Sequence, residues 1–380
     1  MIVLNALCIF GLACSLLYWF VGLGCQIAFS DSRRQRQQRN LQPPVSILKP
    51  MRGLDDNLEG NLRSFCEQNY PTYQILFGVE NERDPSVPII RKVLADFPGK
   101  PFELVICGEH DGMNRKINNL RAMLPKASYQ TLVLADSDVY VQPDYLESIV
   151  EPLWDEKVGL VCCPYYWRAP RNVPAALEAL TFRAEFIPSV LLIERLQGLR
   201  FALGATMVLR RSCLDEIGGF EAIQDYLADD YMLGMLLRQH GHKIVLSHYG
   251  VDLFHYEIGW TRLMLHQIRL VRTYRVCRPI GFFFSLFTHG TTWATLFLVL
   301  QGGSIVAWLT WFAMLLARLS TTLIPLVYGR RDRRTVCFLW LLPIRDLLAS
   351  FWWLLAYTSN RVRWRGRVFA LTRDGKLRNV

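Results

Sequence analysis

Residues 2–29 limit the possible folds more strongly than any other stretch, because they are apolar and carry no charged side chain. A run of this length is sufficient to cross a lipid bilayer as a helix. A secretory signal peptide would place its basic residues before the apolar run and a small-residue cleavage site after it. Here the basic residues, from Arg33 to Arg39, come after the run. We therefore expect a transmembrane anchor over residues 1–30, with the chain that follows on the cytoplasmic side.

The C-terminal part of the chain is also rich in long apolar segments. Residues 280–302 and 304–328 are long enough to span a membrane, and Arg318 is the exception among their mostly uncharged side chains. Together with the apolar stretch up to residue 357, they predict a C-terminal membrane region over residues 280–357.

The last apolar stretch, Val336–Tyr357, is interrupted midway by Pro343, Arg345 and Asp346. A full crossing there would leave the arginine-rich tail outside, against the positive-inside rule. We therefore expect a re-entrant or surface-lying hairpin, in which Arg345 and Asp346 pair with each other. Residues 358–380 would then form a basic cytoplasmic tail.

The net charge of +10 arises from 43 basic and 33 acidic residues, and arginines cluster at 33–39, 330–334 and 361–367. Basic clusters beside apolar segments are typical of cytoplasmic membrane flanks, which anionic lipid attracts. No nucleic-acid reader motif accompanies them, so we expect no nucleic-acid partner. The ten cysteines contain no C-x-x-C pair. They indicate reduced core residues of a cytosolic domain and not a zinc site.

Strand-like and helix-like segments alternate between residues 43 and 255, which predicts βαβ units and a mainly parallel, Rossmann-like α/β sheet. The expected strands are Val45–Leu48, Gln74–Val79, Phe102–Ile106, a strand from Thr131, Val158–Cys163, Ala202–Leu209 and Lys243–Ser247. The expected helices are Asp55–Gln68, Ser86–Asp96, Met113–Leu124, Tyr145–Trp154 and Asp229–Gln239.

Residues 256–279 have a different character. Leu263, Leu270 and Tyr274 recur near helical spacing, with arginines between them. A basic amphipathic helix of this kind is typical of a membrane surface. We therefore expect an interface helix over residues 256–279.

The strand at Thr131 ends in two carboxylates, Asp136 and Asp138. Ligands of parallel sheets bind beyond the carboxyl ends of the strands. Two acidic side chains at that place repel each other unless a cation lies between them, and Mg²⁺ takes one or two carboxylates together with substrate phosphates. Taken alone, the pair suits such a cation site and the alternative, in which Asp136 caps a turn and Asp138 is solvated, equally well.

Two further segments are candidates for the same pocket. Glu80–Pro85 follows the second strand, where a carboxylate could bind a nucleobase or ribose, although Asp-Pro is also a common turn signal. Asp111–Leu120 opens a helix, and a helix start with Arg115 or Lys116 favours phosphate. This segment lacks the glycine pattern of a P-loop or a dinucleotide fingerprint.

Two segments nearer the C-terminus could complete the chemistry. Asp230 lies at a helix start, where the macrodipole favours the ionised form that a general base needs, and a plain N-cap is the alternative. The cations of His266–Leu270 could neutralise a departing diphosphate or form a lipid-facing basic rim. The sequence contains neither G-x-S-x-G nor H-E-x-x-H, so hydrolase and zincin readings have no support.

In combination these elements resemble a known family. K-x-N-N-L at Lys116–Leu120, D-x-D at Asp136–Asp138 and D-D-Y at Asp229–Tyr231 follow an N-terminal anchor and an acidic site, and precede a basic signature and apolar segments. This order is similar to that of processive-type family-2 glycosyltransferases. Within that group the chain most resembles the ceramide glucosyltransferases of family 21 and the related bacterial hopanoid glycosyltransferases. The resemblance covers nearly the whole chain.

The resemblance implies a GT-A catalytic domain over residues 43–255, a UDP-sugar donor, a divalent cation (Mg²⁺ or Mn²⁺) and an inverting transfer to a lipid hydroxyl. By position it implies Asp230 as catalytic base, Asp138 as metal ligand, and Asp84, Lys116, Asn118 and Asp136 as nucleotide-sugar-binding residues.

The last signature of the family, usually Q/R-x-x-R-W, departs from the pattern in this chain. His266 occupies its first position, Arg269 matches, and Leu270 replaces the tryptophan. The resemblance places His266 and Arg269 on the acceptor and diphosphate side. Ceramide enzymes can have glycine where Asp138 stands, which keeps a hopanoid acceptor open.

We therefore expect a multi-pass integral membrane enzyme of the bacterial inner membrane with a cytoplasmic catalytic domain. It would transfer glucose or N-acetylglucosamine from a UDP-sugar to ceramide or a hopanoid polyol. Two alternatives stay open: a polysaccharide synthase-type enzyme, for which the C-terminal spans are few, and a non-catalytic sugar-nucleotide-binding membrane protein. The sequence leaves the oligomeric state open.

Overall fold

The computed structural model describes residues 1–32, 42–328, 332–364 and 366–380. The basic flanks predicted at Arg33–Arg39, at Arg330 and Arg331, and at Arg365 lie outside the described residues. The described chain forms two compact units. The sheet unit comprises residues 42–166 and 197–254, and the helical unit comprises residues 1–32, 167–196 and 255–380. Residues 167–196, which the sequence analysis assigned to the catalytic domain, thus belong to the helical unit.

The sheet unit is built on a seven-stranded mixed sheet with strand order β3-β2-β1-β4-β8-β6-β9. Its strands are β1 Val45–Pro50, β2 Tyr73–Val79, β3 Phe102–Ile106, β4 Thr131–Ala135, β6 Val158–Cys162, β8 Thr206–Arg210 and β9 Lys243–Leu246. The first four are parallel neighbours, β9 is parallel to β6, and β8 runs antiparallel to β4 and β6. This mainly parallel sheet confirms the expected Rossmann-like α/β fold class.

The central strands are buried along their whole length, because helices cover both faces of such a sheet. Ile47 of β1 lies opposite Ile75 on one side and Val133 on the other. This explains why these strands read as continuous apolar runs and not as alternating patterns. Their burial fixes the edge at which the chain leaves each strand.

Short helices connect these strands close to the places that the sequence predicts. They are α2 Leu58–Cys66, α3 Val87–Ala95, α4 Arg115–Met123, α5 Tyr145–Val150, α8 Arg211–Glu216 and α9 Asp229–Gln239. A second sheet contains β5 Val139–Tyr140, β7 Tyr165–Arg168 and β10 Val251–Phe254. The strand predicted from Ala202 begins only at Thr206.

The helical unit contains the long apolar helices and a C-terminal sheet. Its helices are α1 Ile2–Ser32, α6 Val173–Thr181, α7 Ile187–Gln197, α10 Trp260–Cys277, α11 Pro279–Phe284, α12 Gly290–Leu300, α13 Ile305–Tyr328, α14 Arg333–Cys337 and α15 Leu342–Ala356. A π-helical turn, Phe182–Phe186, joins α6 to α7. The sequence analysis did not predict α6 and α7, although Asn172 caps α6 and Pro174 lies in its first turn.

Three helical stretches are long and apolar enough to cross a membrane, namely Ile2–Asp31, Ile305–Val327 and Leu339–Ala356. Within the described residues, a fourth crossing requires the pair Pro279–Thr288 and Gly290–Leu300, which is bent by 54°. The anchor helix and the helix at 304–328 therefore match the sequence prediction. The segment predicted at 280–302 is bent at its middle instead.

Glycines allow α1 and α12 to approach each other closely. A Cβ atom on Gly11 would lie 2.5 Å from the Trp293 ring, and one on Gly290 would lie 2.5 Å from the Trp19 ring. Each helix therefore receives a tryptophan of the other against a bare backbone, a packing that larger residues would prevent. Trp19 and Trp293 are both buried in this cluster.

Residues 342–356 form a single α-helix, so the predicted interruption at Pro343, Arg345 and Asp346 is wrong. How this segment lies in the membrane stays a prediction. Pro343 lies in the first turn, where its missing N–H removes no intrahelical hydrogen bond. The predicted pairing of Arg345 with Asp346 is confirmed, with a 2.8 Å contact. Arg318 adds two hydrogen bonds to the Asp346 carboxylate, at 2.9 and 3.0 Å, and Arg345 also pairs with Glu185. Two arginines and two carboxylates thus balance within the unit.

We expect Asp346→Asn to destabilise the protein strongly, because it removes the carboxylate shared by two buried arginines. Breaking a buried ion pair by removing one partner costs about 3–5 kcal/mol. The measurement is thermal unfolding of the detergent-solubilised protein. The same substitution at exposed Asp374 is the control and should leave the melting temperature unchanged. Equal melting temperatures for Asp346→Asn and wild type would contradict this account.

The last part of the chain, predicted as a basic tail, forms an antiparallel three-stranded sheet. Its strands are β11 Arg361–Trp364, β12 Arg367–Leu371 and β13 Leu377–Asn379. Val362, Phe369 and Leu377 are buried. The arginines between these apolar positions obscure the alternation that would otherwise predict strands.

Candidate active site

Polar side chains gather at one edge of the main sheet. The parallel strands β1 to β4 end at this edge, and the antiparallel strand β8 begins there. Such an edge is where open α/β sheets bind their ligands. The candidate residues that follow these strands therefore lie close together for a topological reason.

Lys116 is the centre of the group. Asn114 caps α4, and its side-chain oxygen accepts hydrogen bonds from the backbone N–H groups of Lys116 and Ile117 at 3.0 and 3.3 Å. This cap fixes the first turn of α4, from which Lys116 Nζ reaches Asp136 Oδ1 at 2.7 Å and Asp229 Oδ2 at 3.4 Å. Burial alone would lower the pKa of Lys116, but these two carboxylates outweigh it and raise the pKa. Lys116 is therefore a permanent ammonium group.

Asp136 and Asp138 follow β4 and are half-buried. Beneath them lies Lys49, the last but one residue of β1, which is fully buried. Its Nζ donates to the backbone carbonyl of Asp136 at 2.7 Å and lies 3.8 Å from the centroid of the Phe65 ring. Burial lowers the pKa of Lys49 to about 7, although Asp138 and Asp136 act in the opposite direction. Lys49 thus holds the backbone that carries both aspartates.

Asp229 and Asp230 begin α9. Asn114 Nδ2 donates to the carbonyl of Tyr226 at 2.9 Å and to Asp229 Oδ1 at 3.3 Å, which ties the start of α9 to the start of α4. Asp230 Oδ1 accepts a hydrogen bond from the backbone N–H of Tyr231 at 2.8 Å. Burial, reinforced by the charge of Asp229, raises the pKa of Asp230 to about 7. A carboxyl group with this pKa is suited to proton transfer near neutral pH.

Gly204, which precedes β8, lies close to both Asp230 and Lys116. A Cβ atom there would lie 2.7 Å from Asp230 Oδ2, and its carbonyl lies 3.4 Å from Lys116 Nζ. We expect Gly204→Ala to displace the Asp230 carboxylate and reduce kcat about tenfold or more, as small misplacements of reacting groups do. The measurement is the steady-state transfer rate. Gly24→Ala, which meets no atom within 4 Å, is the control. An unchanged kcat in Gly204→Ala would contradict the assignment.

The other two predicted nucleotide-binding residues hold loops at this edge. Asp84 accepts hydrogen bonds from the backbone N–H of Gly53 at 3.0 and 3.1 Å, and from Ser86. Gly53 has φ +69°, so the carboxylate fixes a left-handed turn after β1. Asn118 is buried and donates to the carbonyls of His110 and Gly112 at 3.3 and 2.8 Å. Their direct contact with a nucleotide stays a prediction.

The predicted acceptor-side residues His266 and Arg269 lie one turn apart on α10, in the helical unit. His266 Nδ1 is hydrogen-bonded to the buried carboxylate of Glu178 on α6. Within the sheet unit, the structure brings together the predicted residues Lys116, Asp136 and Asp230.

Sequence reasoning missed Lys49, Asn114 and Asp229 as site residues of the sheet unit. It also missed Glu178 as the partner of His266 in the helical unit. Lys49 had a detectable signal, since it is a lone lysine at the carboxyl end of an apolar strand. Asn114 directly precedes α4, and asparagine is a common N-cap residue, so it could have been recognised. The signal was weak because α4 begins with two charged residues and not with an apolar one. Asp229 is adjacent to Asp230 at the same helix start, so the sequence alone could not show which of the two has which role. Glu178 becomes visible only through its partners His255 and His266 in the fold.

The donor atoms at this edge fit a hard divalent cation. Carboxylate oxygens are the ligands that Mg²⁺ and Mn²⁺ prefer. The carboxylates that act on the two lysines outnumber them; they are Asp55, Asp136, Asp138, Asp229 and Asp230, against Lys49 and Lys116. A bound cation would reduce this excess of negative charge.

A different cluster lies at the opposite edge of the main sheet, where β8 ends and β9 begins. Cys213, Glu216 and His242 bring donor atoms within 4.8 Å of one another. His242 Nε2 and Glu216 Oε2 are 2.6 Å apart, as a hydrogen-bonded pair. All ten cysteines lie among the described residues and are free.

Two solved structures that match much of this chain do so with TM-scores below 0.5. A mannosyltransferase from Pyrobaculum calidifontis, in complex with GDP-Man and Mn²⁺, covers 92% of this chain and 99% of its own, with 18% identity and a TM-score of 0.48. A glucosyl-3-phosphoglycerate synthase from Mycobacterium tuberculosis, in complex with Mn²⁺, UDP and glucosyl-3-phosphoglycerate, covers 63% of this chain and 81% of its own, with 14% identity and a TM-score of 0.40.

Two curated ceramide glucosyltransferases are similar in sequence to most of this chain. Ceramide glucosyltransferase 3 of Caenorhabditis elegans is 26% identical over 349 residues, which are 88% of this chain and 74% of the relative. Ceramide glucosyltransferase 1 of the same organism is 25% identical over 352 residues, which are 88% of this chain and 73% of the relative. The model of glycosyl transferase family 21 matches residues 7–377. The chain belongs to glycosyl transferase family 21 and is a glycosyltransferase of the ceramide glucosyltransferase type.

Proposed function

We propose that the protein transfers a hexose, glucose or N-acetylglucosamine, from a UDP-sugar to a hydroxyl of a membrane lipid with inversion at the anomeric carbon. Ceramide and a hopanoid polyol are the acceptors that the family resemblance favours. The three long apolar helical stretches support an integral membrane protein. We place the catalytic domain on the cytoplasmic face, in a bacterial inner membrane.

The observation that carries this proposal is the position of Lys116. A single ammonium group joins the aspartate of the D-x-D segment, Asp136, to Asp229 and thereby to the neighbouring base candidate Asp230. The elements that recognise a sugar nucleotide and the group that deprotonates an acceptor are thus parts of one electrostatic cluster. The raised pKa of Asp230 is suited to a general base that works near neutral pH.

In the donor site we assign Asp136 and Lys116 to the sugar nucleotide, with Asp84 and Asn118 holding the loops that surround it. Asp138 would hold Mg²⁺ or Mn²⁺. A divalent cation there supplies Lewis-acid stabilisation of the diphosphate leaving group. Lys49 keeps the backbone of Asp136 fixed through its buried hydrogen bond.

In the transfer step Asp230 accepts the proton of the acceptor hydroxyl. The hydroxyl oxygen forms a bond to the anomeric carbon on the face opposite the diphosphate, and the carbon–oxygen bond to the diphosphate breaks. The electron pair of that bond leaves with UDP, and the proton stays on the Asp230 carboxyl group. The family resemblance makes Arg269 a candidate for neutralising a departing diphosphate.

The test is sugar transfer by the purified protein in detergent. UDP-glucose, UDP-galactose or UDP-N-acetylglucosamine is offered in turn with ceramide or a polyol hopanoid, with Mn²⁺ or with EDTA. We expect metal-dependent appearance of one labelled lipid in the organic phase. A labelled polymer in the aqueous phase would indicate a polysaccharide synthase, and UDP-sugar binding without any product would indicate a sensor. Either result would overturn the proposal.

The pH dependence follows from the raised pKa of Asp230. A general base must be ionised, so activity is present above its pKa and is lost as the pH falls through about 7. We expect kcat/KM for the UDP-sugar to fall about tenfold per pH unit below that value. The measurement is a rate profile from about pH 5 to about pH 9. An acid limb near the ordinary pKa of an aspartate would show that Asp230 is not the base.

A further inference from the structure

Three side chains with different metal-binding groups meet at the edge of the main sheet opposite the candidate active site. They are the thiol of Cys213, the carboxylate of Glu216 and the imidazole of His242, and one donor atom of each lies within 4.8 Å of the other two. All three residues belong to the sheet unit. The proposed transfer reaction uses none of them, so the cluster has no role in that function.

The helix α8 presents two of the donors on one face. Cys213 and Glu216 are three residues apart, which makes their side chains neighbours on the surface of an α-helix. Arg211, the first residue of α8, follows the last residue of β8 without an intervening loop, and its backbone N–H donates to the carbonyl of Gln130 at 2.7 Å. The pairing of β8 in the sheet therefore also fixes the start of α8.

His242 is held at the start of β9 by its backbone and by the packing of its ring. Its backbone N–H donates to the carbonyl of Leu237, near the end of α9, at 3.1 Å. The side chain lies against Gly159 of β6, where a Cβ atom would be 2.6 Å from His242 Cβ and 2.7 Å from its Cγ. The missing side chain at Gly159 thus leaves the space that the imidazole occupies.

An ion pair explains only part of this cluster. His242 Nε2 and Glu216 Oε2 are 2.6 Å apart, but a partly exposed pair of this kind contributes little to stability. It also gives no role to Cys213, which is free and 3% exposed. Thiolate, imidazole and carboxylate are the ligands that proteins offer to Zn²⁺. A metal ion would give all three side chains a common function.

The sulfur donor selects among the divalent cations. Mg²⁺ and Mn²⁺ prefer oxygen ligands, whereas thiolate and imidazole suit Zn²⁺. Bonds of about 2.0–2.3 Å to a tetrahedral Zn²⁺ imply donor atoms that are about 3.3–3.6 Å apart. Donor atoms within 4.8 Å reach this spacing by small side-chain rotations, and the Glu216 side chain, 48% exposed, has room to rotate. The thiolate and the carboxylate balance the two charges of the ion, so the loaded site is neutral.

We propose that Cys213, Glu216 and His242 bind one Zn²⁺ ion, with water in the fourth tetrahedral position. The thiol proton is released to solvent when the zinc–sulfur bond forms, and the ion replaces the hydrogen bond between His242 and Glu216. The bound ion joins α8 to the start of β9 and stabilises the folded sheet unit by mass action. The sequence contains no C-x-x-C pair, and His242 is 26 positions from Glu216, so the spacing does not predict this site.

The first arm of the test uses Co²⁺ as the probe, because a bond between Co²⁺ and a thiolate gives a charge-transfer absorption band in the near ultraviolet. The full-length protein is purified in detergent, freed of any affinity tag, stripped of metal with EDTA, desalted and titrated with Co²⁺ in an excess of Mg²⁺. We expect one equivalent of Co²⁺ to produce the band and one equivalent of Zn²⁺ to abolish it. The oxygen donors of the candidate active site cannot produce this band.

Single variants assign the ligands. Cys213→Ser should lose the band. Glu216→Gln and His242→Gln should weaken Co²⁺ binding at least about tenfold, since even loss of an outer partner of a metal ligand costs about 10- to 100-fold in affinity. Cys107→Ser is the matched control, because Cys107 is another buried cysteine of the sheet unit, with its Sγ hydrogen-bonded to two backbone carbonyls. It should bind Co²⁺ as the wild type does.

The second arm measures thermal unfolding with Zn²⁺ and with EDTA. A free Zn²⁺ concentration of about 100 times the Kd should raise the unfolding temperature of the wild type by about 5 °C. The rise should be absent in Cys213→Ser. Each protein is compared with itself, so a variant that is merely less stable does not imitate the loss of a metal site.

Two results would overturn the proposal. The first is a wild type without the thiolate band, or a Cys213→Ser variant that keeps it. The second is an equal rise of the unfolding temperature in the wild type and in all three ligand variants, which would indicate an adventitious ion only. Neither arm uses a sugar donor or a lipid, so the outcome is independent of the proposed function.

Discussion

Replacing Asp230 by asparagine should abolish sugar transfer and leave UDP-sugar binding intact. Asparagine has the shape of aspartic acid and can still accept the hydrogen bond from Tyr231 N–H, but it cannot take up the proton of the acceptor hydroxyl. Loss of a positioned general base lowers the rate by about 10²- to 10⁴-fold. The variant also removes one of two adjacent carboxyl groups, so the fold should be at least as stable as that of wild type.

The measurement pairs kcat for transfer with the Kd of the UDP-sugar, determined by calorimetry on the same preparation. Asp215→Asn is the control, because Asp215 is an exposed aspartate of the same unit. It should keep wild-type kcat and Kd. Near-normal turnover in Asp230→Asn with intact binding would assign the base to another residue, and a parallel loss of binding would make Asp230 part of the donor site.

Replacing Lys116 by methionine should have the second large effect, on stability and on donor binding together. The side chain lies between Asp136 and Asp229 and is only 12% exposed, so methionine leaves two neighbouring carboxylates without their shared cation. Removal of one partner from a buried ion pair costs about 3–5 kcal/mol. Repulsion between the carboxylates and the diphosphate, no longer offset by Lys116, should also weaken UDP-sugar binding.

Thermal unfolding and UDP-sugar titration of Lys116→Met measure the two effects. Lys126→Met removes an exposed lysine paired with Glu103 and is the control, with no expected change in either quantity. A double variant with Asp136→Asn should recover part of the lost stability, because it removes one of the unpaired charges. If Lys116→Met unfolded at the wild-type temperature, the ammonium group would not be the centre of the cluster.

The sequence predicts the parts of this site that obey short-range rules. Asp136 was recognisable because a buried parallel strand must end at the ligand-binding edge, and Asp230 because it begins an apolar helix. These rules extend over a few residues, so they give the place of a carboxylate along a strand or helix. They do not give its partners.

The residues that sequence reasoning missed depend on contacts between distant parts of the chain. Lys49 is meaningful only because β1 pairs with β4 and brings its ammonium group to the Asp136 carbonyl. Arg345 and Asp346 suggested an interrupted helix because Arg318, which compensates for Asp346, lies on another helix. Burial of a charge cannot be recognised from sequence without knowledge of its partner. The same holds for Asp84 and Asn118. Both bind backbone groups of loops, and the sequence pattern does not predict where these loops lie.

The configuration of the glycosidic bond tests the central claim most directly. UDP-glucose and UDP-N-acetylglucosamine carry α-linked sugars, and one displacement by a hydroxyl that Asp230 deprotonates must invert this centre. Proton NMR of the lipid product made by the purified protein with Mn²⁺ should therefore show a β-linked hexose. An α-linked product would require a second displacement that this site does not explain, and it would contradict the mechanism; release of UDP without a glycosylated lipid would contradict the proposed acceptor class.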